Sequence, residues 1–187
     1  MRIELRKFKS VKSTNNTAIR IIKSKKFKPM MITTEKQIKG KGRMGKKWVS
    51  KKGNLFVSIF FKIDLKKINL KNYSLLNALL IRKILQKYIF HKIDVKLPND
   101  LLINRKKVCG ILQEIIQVEK KLFLIVGIGI NTNSHPKLSD YETTSLKCFL
   151  NKKVDNNVLL KDIKFIYEKF VDDIHKYSFA QLKEKIR

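Results

Sequence analysis

Residues 107–131 read KVCGILQEIIQVEKKLFLIVGIGIN, and this stretch decides the fold. It contains two runs, 107–118 and 122–130, that are rich in Val, Ile and Leu, and such runs favour strands. The charged pair Glu119-Lys120 separates the two runs and suits a turn. The pattern therefore predicts two consecutive strands in the middle of the chain.

Further strands and helices flank this pair. Residues 3–8 alternate apolar and polar side chains, and residues 54–61 (NLFVSIFF) are rich in strand formers. Apolar residues recur at helical spacing over residues 70–90. The other predicted elements are strands at 30–34 and from Val95 to a break at Pro98, and helices at 15–25 and 158–177. We therefore expect an α+β fold, a mixed β-sheet with packed helices.

The charge of the chain is extreme. Its 43 Lys and Arg residues against 15 Asp and Glu residues give a net charge of +28 at pH 7, which by itself suggests nucleic acid as a partner. The basic residues are nevertheless spread along the whole chain, mostly as Lys interleaved with Ile and Asn. This dispersion favours a solvated basic surface, such as an AT-rich coding bias produces, over a dedicated polyanion site. Such a surface would still speed the encounter with an acidic partner.

Several classes of protein are disfavoured. The two cysteines, Cys109 and Cys148, cannot form a disulfide framework, and no Cys/His spacing matches a metal site. The N-terminus lacks an apolar signal core, and the longest apolar run, 122–130, is too short to cross a bilayer. At 187 residues the length suits one domain. We therefore expect a reduced, cytoplasmic enzyme or binding protein with no membrane association.

A loop with three glycines, residues 40–48 (GKGRMGKKW), is the first segment that could carry chemistry. Glycines permit close approach of the backbone, and the loop's N–H groups and cations could cradle phosphate. The segment is neither a P-loop nor a dinucleotide-binding fingerprint. A flexible, exposed basic loop is the alternative explanation.

The second segment is residues 95–100 (VKLPND). Lys96 precedes Leu97-Pro98, so its backbone should be extended, and a lysine held in this way suits a carboxylate or an α-phosphate. Asn99-Asp100 favours a turn that would present Asp100 to solvent, a metal or a neighbouring loop. In a chain so rich in lysine, an ordinary surface position is the alternative for Lys96.

The third segment is residues 127–131 (GIGIN). Glycines inside an apolar strand mark a bulge or the close approach of another group. The amide of Asn131, at the strand end, could then bond a ligand. A buried strand that needs small residues for packing explains the glycines equally well.

In their order along the chain, these segments resemble the biotin–protein ligase family. Residues 12–15 (KSTN) are similar to the family's Asp-Ser-Thr-Asn, and Gln37 with residues 40–48 is similar to Gln-x-x-Gly-Arg-Gly-Arg-x-Gly-Arg-x-Trp. Residues 95–100 correspond to Val-Lys-Trp-Pro-Asn-Asp, and residues 107–114 (KVCGILQE) match Lys-x-x-Gly-Ile-Leu-x-Glu. Ser50, residues 53–58 (GNLFVS), residues 127–131 and residues 144–146 (TSL) complete the set. The resemblance covers residues 10–150, and it is carried by the ordered set rather than by any single motif.

The resemblance implies the class II aminoacyl-tRNA synthetase-like catalytic domain of the biotin and lipoate ligases, spanning residues 1–187. It implies that ATP activates biotin as biotinyl-5'-AMP. A lysine of a biotin carboxyl carrier domain, in acetyl-CoA carboxylase or another biotin enzyme, would then attack this anhydride. Mg²⁺ is implied by the chemistry; no direct metal ligand is predicted, and Asp100 is an indirect partner of the ion at most. The resemblance also allows a homodimer, and specific DNA binding is not expected.

The same resemblance assigns roles to particular residues. Lys96 is expected to contact the carboxylate and the α-phosphate and, with Arg43, to carry catalysis. The loop around Arg43 is expected to close over the adenylate and exclude water. The expected biotin site comprises Ser13, Thr14, Asn15, Gln37, Gly40, Lys41, Gly42, Arg43, Lys96 and Gly110. The expected nucleotide site comprises Arg43, Lys46, Trp48, Lys96, Asn99 and Asn131.

The sequence departs from the family at several points. Lys41 and Lys46 replace arginines, which keeps the charge but loses the bidentate fork. Leu97 replaces a common Trp, which suggests an aliphatic wall in the biotin pocket and weaker affinity. Neither an N-terminal winged helix nor a C-terminal β-barrel is recognisable, so we expect a catalytic domain without either.

Three other functions stay open on the sequence alone. A lipoate or octanoate ligase of the same fold typically carries Arg-Arg-x-Ser-Gly-Gly-Gly, which this sequence lacks. A basic nucleic-acid-binding protein would need basic and aromatic residues clustered on one face. A degenerate ligase would bind biotin without activating it.

Overall fold

The computed structural model describes residues 2–186. Seven strands form one sheet in the order β1-β2-β3-β7-β6-β5-β4, in which β1 and β2 pair in parallel and the other neighbours are antiparallel. The strands are β1 (Glu4–Val11), β2 (Met30–Gln37), β3 (Leu55–Lys62), β4 (Ile93–Lys96), β5 (Asp100–Ile103), β6 (Lys106–Val118) and β7 (Lys121–Ile130). The helices are α1 (Thr14–Lys23), α2 (Leu70–Gln86), α3 (Lys147–Leu150), α4 (Asn156–Asp173) and α5 (Phe179–Ile186). The predicted α+β class is confirmed.

The sheet separates two apolar cores. On one face α2, α4 and α5 pack over a large core that includes Phe61, Tyr73 and Tyr167. On the other face α1 covers a smaller core around Ile22 and Phe60. α1 covers β6 and β7 only near their hairpin turn, and a loop and a cavity cover this face at the Gly110 and Gly129 end of the two strands.

The predicted central pair of strands is present. β6 and β7 form a hairpin in which Val118 pairs with Lys121, and Glu119 takes a left-handed backbone conformation in the turn (φ 55°). α2 begins where Asn69 caps it by accepting a hydrogen bond from the amide of Asn72 at 2.9 Å. It ends at Gln86 rather than at residue 90, and Gln86 Nε2 donates to the carbonyl of Ile89 as the chain leaves the helix.

Three short elements were not predicted. The chain turns at Leu97–Pro98, which is a cis peptide bond, and returns immediately as β5. The helices α3 and α5 were also missed. Within residues 2–186 no helix combines the length and the apolar character that a membrane span requires.

Candidate active site

A cavity of about 270 Å³ lies on the α1 face of the sheet, between the start of α1, the loop 40–48 and the ends of β5, β6 and β7. Most of the residues that the sequence singled out lie together here. Those that line the cavity are Ser13, Thr14, Asn15, Gln37, Lys41, Gly42, Arg43, Lys46, Trp48, Asn99 and Gly110. Gly40, Lys96 and Asn131 do not line it.

Two paired glycines form the floor of the cavity. Gly110 in β6 lies directly opposite Gly129 in β7, and the indole of Trp48 rests on both. A Cβ atom would come within 2.6 Å of the Trp48 ring at Gly110 and within 2.5 Å at Gly129. Only glycine permits this approach, which explains Gly129 inside the otherwise apolar strand β7. Trp48 Nε1 is buried there without a hydrogen-bond partner.

The loop 40–48 forms the outer wall. It folds back on itself, because the amide of Trp48 donates to the carbonyl of Gly40 at 3.0 Å and that of Gly42 donates to the carbonyl of Lys46 at 2.7 Å. Gly40 therefore stabilises the fold of the loop through its carbonyl group without lining the cavity. At the tip, Arg43 Nη1 lies 3.4 Å from Asn99 Oδ1, so the loop reaches across to the turn between β4 and β5.

Lys107 is the least exposed of the lysines that line the cavity; it belongs to the motif at 107–114, but no role was expected for it. Its side chain is 12% exposed, and its Nζ lies 2.8 Å from Asp100 Oδ1, although the pair lacks the angles of a hydrogen bond. The same Nζ lies 5.5 Å from the centroid of the Trp48 ring and 5.0 Å from that of Tyr141. Cation, carboxylate and aromatic rings are thus held together at one end of the cavity.

A bulge in β6 brings Lys107 to this face. Leu101 pairs with Cys109 but Leu102 pairs with Lys107, so Val108 is an extra residue in the strand. In a regular strand, residues 107 and 110 would point to opposite faces. The bulge removes one step of the alternation and puts Lys107 on the same side as Gly110.

The expectation for Lys96 needs correction. Lys96 ends the edge strand β4, is exposed, and does not line the cavity. Its segment reaches the cavity through Asn99 and Asp100 instead. Leu97 is 59% exposed and also lies outside the cavity, so it forms no wall of it.

The inner end of the cavity is polar. Gln37 Oε1 accepts hydrogen bonds from the backbone amide of Thr14 at 2.9 Å and from its hydroxyl at 3.1 Å, while Gln37 Nε2 donates to Ser50 Oγ at 3.1 Å. The Thr14 amide can only donate, so the oxygen of Gln37 must face it. Ser58 and Glu114, which the sequence did not assign to the site, extend these contacts from β3 and β6.

Asn131 lies behind the cavity rather than in it. It is 2% exposed and borders a small pocket on the far side of Trp48, together with Tyr141 and Pro136. Its backbone amide donates to the carbonyl of Val108 at 2.8 Å. In this arrangement Asn131 supports the bulge that places Lys107.

The cysteines do not contribute a nucleophile to the cavity. Cys109 is buried on the opposite face of β6, and burial, together with the charge of Asp100, raises the pKa of its thiol. Cys148 is exposed and lies outside the cavity. Within residues 2–186, no three His, Cys, Asp or Glu side chains group as metal ligands, and Asp100 is the one acidic residue that lines the cavity.

Comparison with known proteins gives the family. The biotin/lipoate A/B protein ligase family matches residues 7–131, and the chain belongs to this family. It is 31% identical over 178 residues to the bifunctional ligase/repressor BirA of Bacillus subtilis, across 91% of this chain and 54% of that protein. The chain therefore spans about half the length of that relative.

The fold agrees with solved structures. A biotin protein ligase from Aquifex aeolicus in complex with biotin and ATP superposes with a TM-score of 0.78 at 30% identity, covering 98% of this chain and 76% of that one. A bipartite lipoate protein ligase from Thermoplasma acidophilum superposes with a TM-score of 0.62 at 10% identity, covering 90% and 83%. The second likeness concerns the fold alone. The expected resemblance to biotin–protein ligases is thereby confirmed.

Proposed function

We propose that this cavity binds biotin and ATP, and that the chain forms biotinyl-5'-AMP and transfers the biotin to a lysine of a carrier protein. One observation carries the proposal: five cationic side chains line a cavity whose inner end is built from neutral polar groups. The cations are Lys41, Arg43, Lys46, Lys47 and Lys107. A ligand with an anionic and a neutral polar end fits this division.

At the cationic end, the reaction requires the cancellation of negative charge. A biotin carboxylate oxygen attacks the α-phosphorus of ATP, and pyrophosphate leaves. Such transfers depend on positioning and on electrostatic stabilisation of the transition state. Lys107 suits this role because Asp100 and two aromatic rings hold its ammonium group in place. We therefore assign to Lys107 the contact with the carboxylate and the α-phosphate that the sequence suggested for Lys96.

The loop 40–48 would shield the adenylate. Arg43 is exposed and bridges weakly to Asn99, so it can shift its contact to a phosphate. Exclusion of water protects a mixed anhydride until the acceptor amine attacks its acyl carbon and AMP leaves. The acceptor is a lysine of a biotin carboxyl carrier domain.

The polar end suits the ureido ring of biotin. Thr14 and Gln37 offer a carboxamide oxygen and hydroxyl groups in fixed orientations, and Ser13 is buried beside them. An alkyl acid such as lipoate or octanoate has no polar group to meet them, and unmet buried polar groups cost free energy. This end therefore favours biotin over the acids of the related ligases.

The side chains do not build a site for Mg²⁺ by themselves. Asp100 is the one carboxylate that lines the cavity within residues 2–186, and it faces Lys107. A magnesium ion would need more oxygen ligands than this. No step of the proposed reaction is therefore assigned to a protein-bound metal.

The proposal is tested by incubating the protein with Mg²⁺, ATP and either biotin, lipoate or octanoate, and by measuring the acyl adenylate and pyrophosphate. We expect biotinyl-AMP with biotin and no adenylate with the other acids. A second incubation with a biotin carboxyl carrier domain should add one biotinyl group to its lysine. Activation of lipoate but not biotin would identify a lipoate ligase. If the protein binds biotin but forms no adenylate, it is a biotin-binding scaffold without ligase activity.

A further inference from the structure

Glu114 in β6 makes an unusual contact for a carboxylate in so basic a chain. Its Oε2 accepts a hydrogen bond from Asn15 Nδ2 at 2.7 Å. Among residues 2–186, no lysine, arginine or histidine nitrogen lies within 4.0 Å of it. Its polar partner is thus a neutral amide at the start of α1, in a charge-assisted bond.

The amide of Asn15 can take one orientation only. Asn15 is 2% exposed and presses against Gly127, where a Cβ atom would lie 2.3 Å from its Oδ1. Its nitrogen faces two acceptors, the carboxylate of Glu114 and the carbonyl of Leu112 at 3.4 Å. The oxygen must therefore face Ser58 Oγ, which lies 2.5 Å away.

The oxygen–oxygen contacts beyond Asn15 outnumber the hydroxyl protons that could join them. Ser58 Oγ also contacts Thr14 Oγ1 at 2.7 Å, and Thr14 Oγ1 contacts Gln37 Oε1 at 3.1 Å. With the contact to Asn15 this makes three oxygen–oxygen contacts, but the two hydroxyl groups supply two protons. Asn15 Oδ1 cannot donate, so it takes the proton of Ser58. The proton of Thr14 then serves either Ser58 or Gln37, and one contact always lacks a proton.

We propose that Glu114 is a positioning residue that makes this end of the cavity an acceptor for the N–H groups of a ureido ring. The inference rests on the proposed function and names the feature of biotin that the cavity recognises. Glu114 does not touch the ligand; it fixes Asn15, and Asn15 fixes Ser58. Gln37 Oε1 already accepts from the amide of Thr14, so the surplus acceptor is Thr14 Oγ1, beside Gln37 in the lining of the cavity. An N–H donor from the ligand completes the network, whereas a second acceptor leaves it unsatisfied.

The test compares biotin with its cyclic carbamate analogue, in which a ring oxygen replaces one N–H at nearly constant shape. Glu114→Gln replaces a carboxylate, which only accepts, by a carboxamide, which can also donate. The side-chain amide of Asn15 then no longer prefers one of its two orientations. We expect the KM for biotin to rise about tenfold, the value of one hydrogen bond. The KM for ATP and the kcat at saturating biotin should not change. The preference for biotin over the carbamate should fall by a similar factor.

A double variant separates this role from a merely structural one. In Glu114→Gln with Asn15→Asp, the new amide at position 114 can donate to the new carboxylate at position 15, which still accepts from Ser58. The hydrogen bonds then run in the same direction from position 15 to Ser58 as in the unmodified protein. The double variant should therefore recover most of the biotin affinity and of the preference for biotin over the carbamate. Glu119→Gln, in the turn of the same hairpin, is the matched control and should behave as the unmodified protein.

The outcomes are distinct. An unchanged KM for biotin in Glu114→Gln, or a double variant no better than the single one, would overturn the inference and leave the proposed function intact. If the unmodified protein neither binds nor activates biotin, the proposed function fails and the inference fails with it. Thermal unfolding of each variant shows whether a lost affinity reflects a lost fold.

Discussion

The two faces of the central hairpin differ in what they carry. Along β7, Val126, Ile128 and Ile130 point into the large core under α2, α4 and α5. The residues between them, Gly127 and Gly129, lie under Asn15 and Trp48. The same strand thus provides buried apolar side chains on one face and a flat floor without side chains on the other. We therefore expect alternate residues to serve stability and the proposed ligand binding, so that a substitution affects mainly one of the two.

The largest expected effect on stability lies on the apolar face. Phe61 is completely buried, and its ring meets that of Phe170 edge to face with the centroids 6.0 Å apart. Phe61→Ala should lower the free energy of unfolding by about 4 kcal/mol, because it leaves a cavity in a packed core. Urea unfolding measures this loss. The folded fraction of the variant should bind biotin as the unmodified protein does, and a selective loss of binding would contradict the division between the faces.

The opposite face should show the opposite behaviour. Gly129→Val puts a side chain where Trp48 rests, and the exposed loop 40–48 can shift to accommodate it. We expect biotinyl-AMP formation to fall about a hundredfold, equivalent to about 2.7 kcal/mol, with the free energy of unfolding changed by less than about 1 kcal/mol. Ile130→Val, the neighbouring position on the apolar face and outside the lining of the cavity, is the control. It should cost about 1 kcal/mol of stability and leave the activity intact.

Glu168, at the edge of the apolar face, should make a contribution to the free energy of unfolding that depends on pH. Burial raises the pKa of Glu168, but hydrogen bonds from Lys164 and from the amide of Ile3 outweigh it, and the net pKa lies below the usual range. Because the folded-state pKa is lowered, the stabilisation is complete above the ordinary carboxyl pKa and is lost as the pH falls through the folded-state value. Glu168→Gln should cost about 1 kcal/mol at neutral pH. Unfolding curves at several pH values should show this difference shrink in acid; a constant difference would contradict the assignment.

The smallest effect is expected at Leu97. The family resemblance suggested that Leu97 forms one wall of the biotin pocket, but its side chain is 59% exposed outside the cavity. Because this side chain does not line the cavity, Leu97→Trp should change the biotin affinity less than about twofold, equivalent to about 0.4 kcal/mol. Calorimetric titration checks this. A tenfold gain in affinity would mean that the turn between β4 and β5 closes over the ligand.

Local patterns in the sequence were enough for the main elements. The hairpin of β6 and β7 follows from two apolar runs around a charged pair, and α2 follows from its helical spacing. The loop 40–48 was found because its glycines and cations interrupt the apolar pattern, whereas residues 13–15 were assigned to the site through the family resemblance. These features depend on neighbouring residues only.

The position of Lys107, the proposed catalytic lysine, depends on a feature that local patterns do not contain. Strict alternation along β6 puts residues 107 and 110 on opposite faces, and the bulge at Val108 that reverses this is set by pairing with β5. β5 itself has four residues and follows a proline turn, so it is too short for a periodic pattern to predict it. Lys96 lies in the family motif at residues 95–100, yet in the structure it is exposed in a strand at the edge of the sheet. Glu114 likewise gains its contact with Asn15 only when α1 docks on the sheet.

The most direct measurement is the biotin-dependent exchange of pyrophosphate into ATP in two matched lysine variants. Lys107→Ala removes the ammonium group from the cavity, and we expect the exchange rate to fall at least a hundredfold, the usual cost of removing one charge-stabilising group. Lys96→Ala should retain the rate within about twofold, and both variants should unfold near the temperature of the unmodified protein. Loss of exchange in Lys96→Ala together with normal exchange in Lys107→Ala would contradict the assignment of the cavity as the site of adenylation.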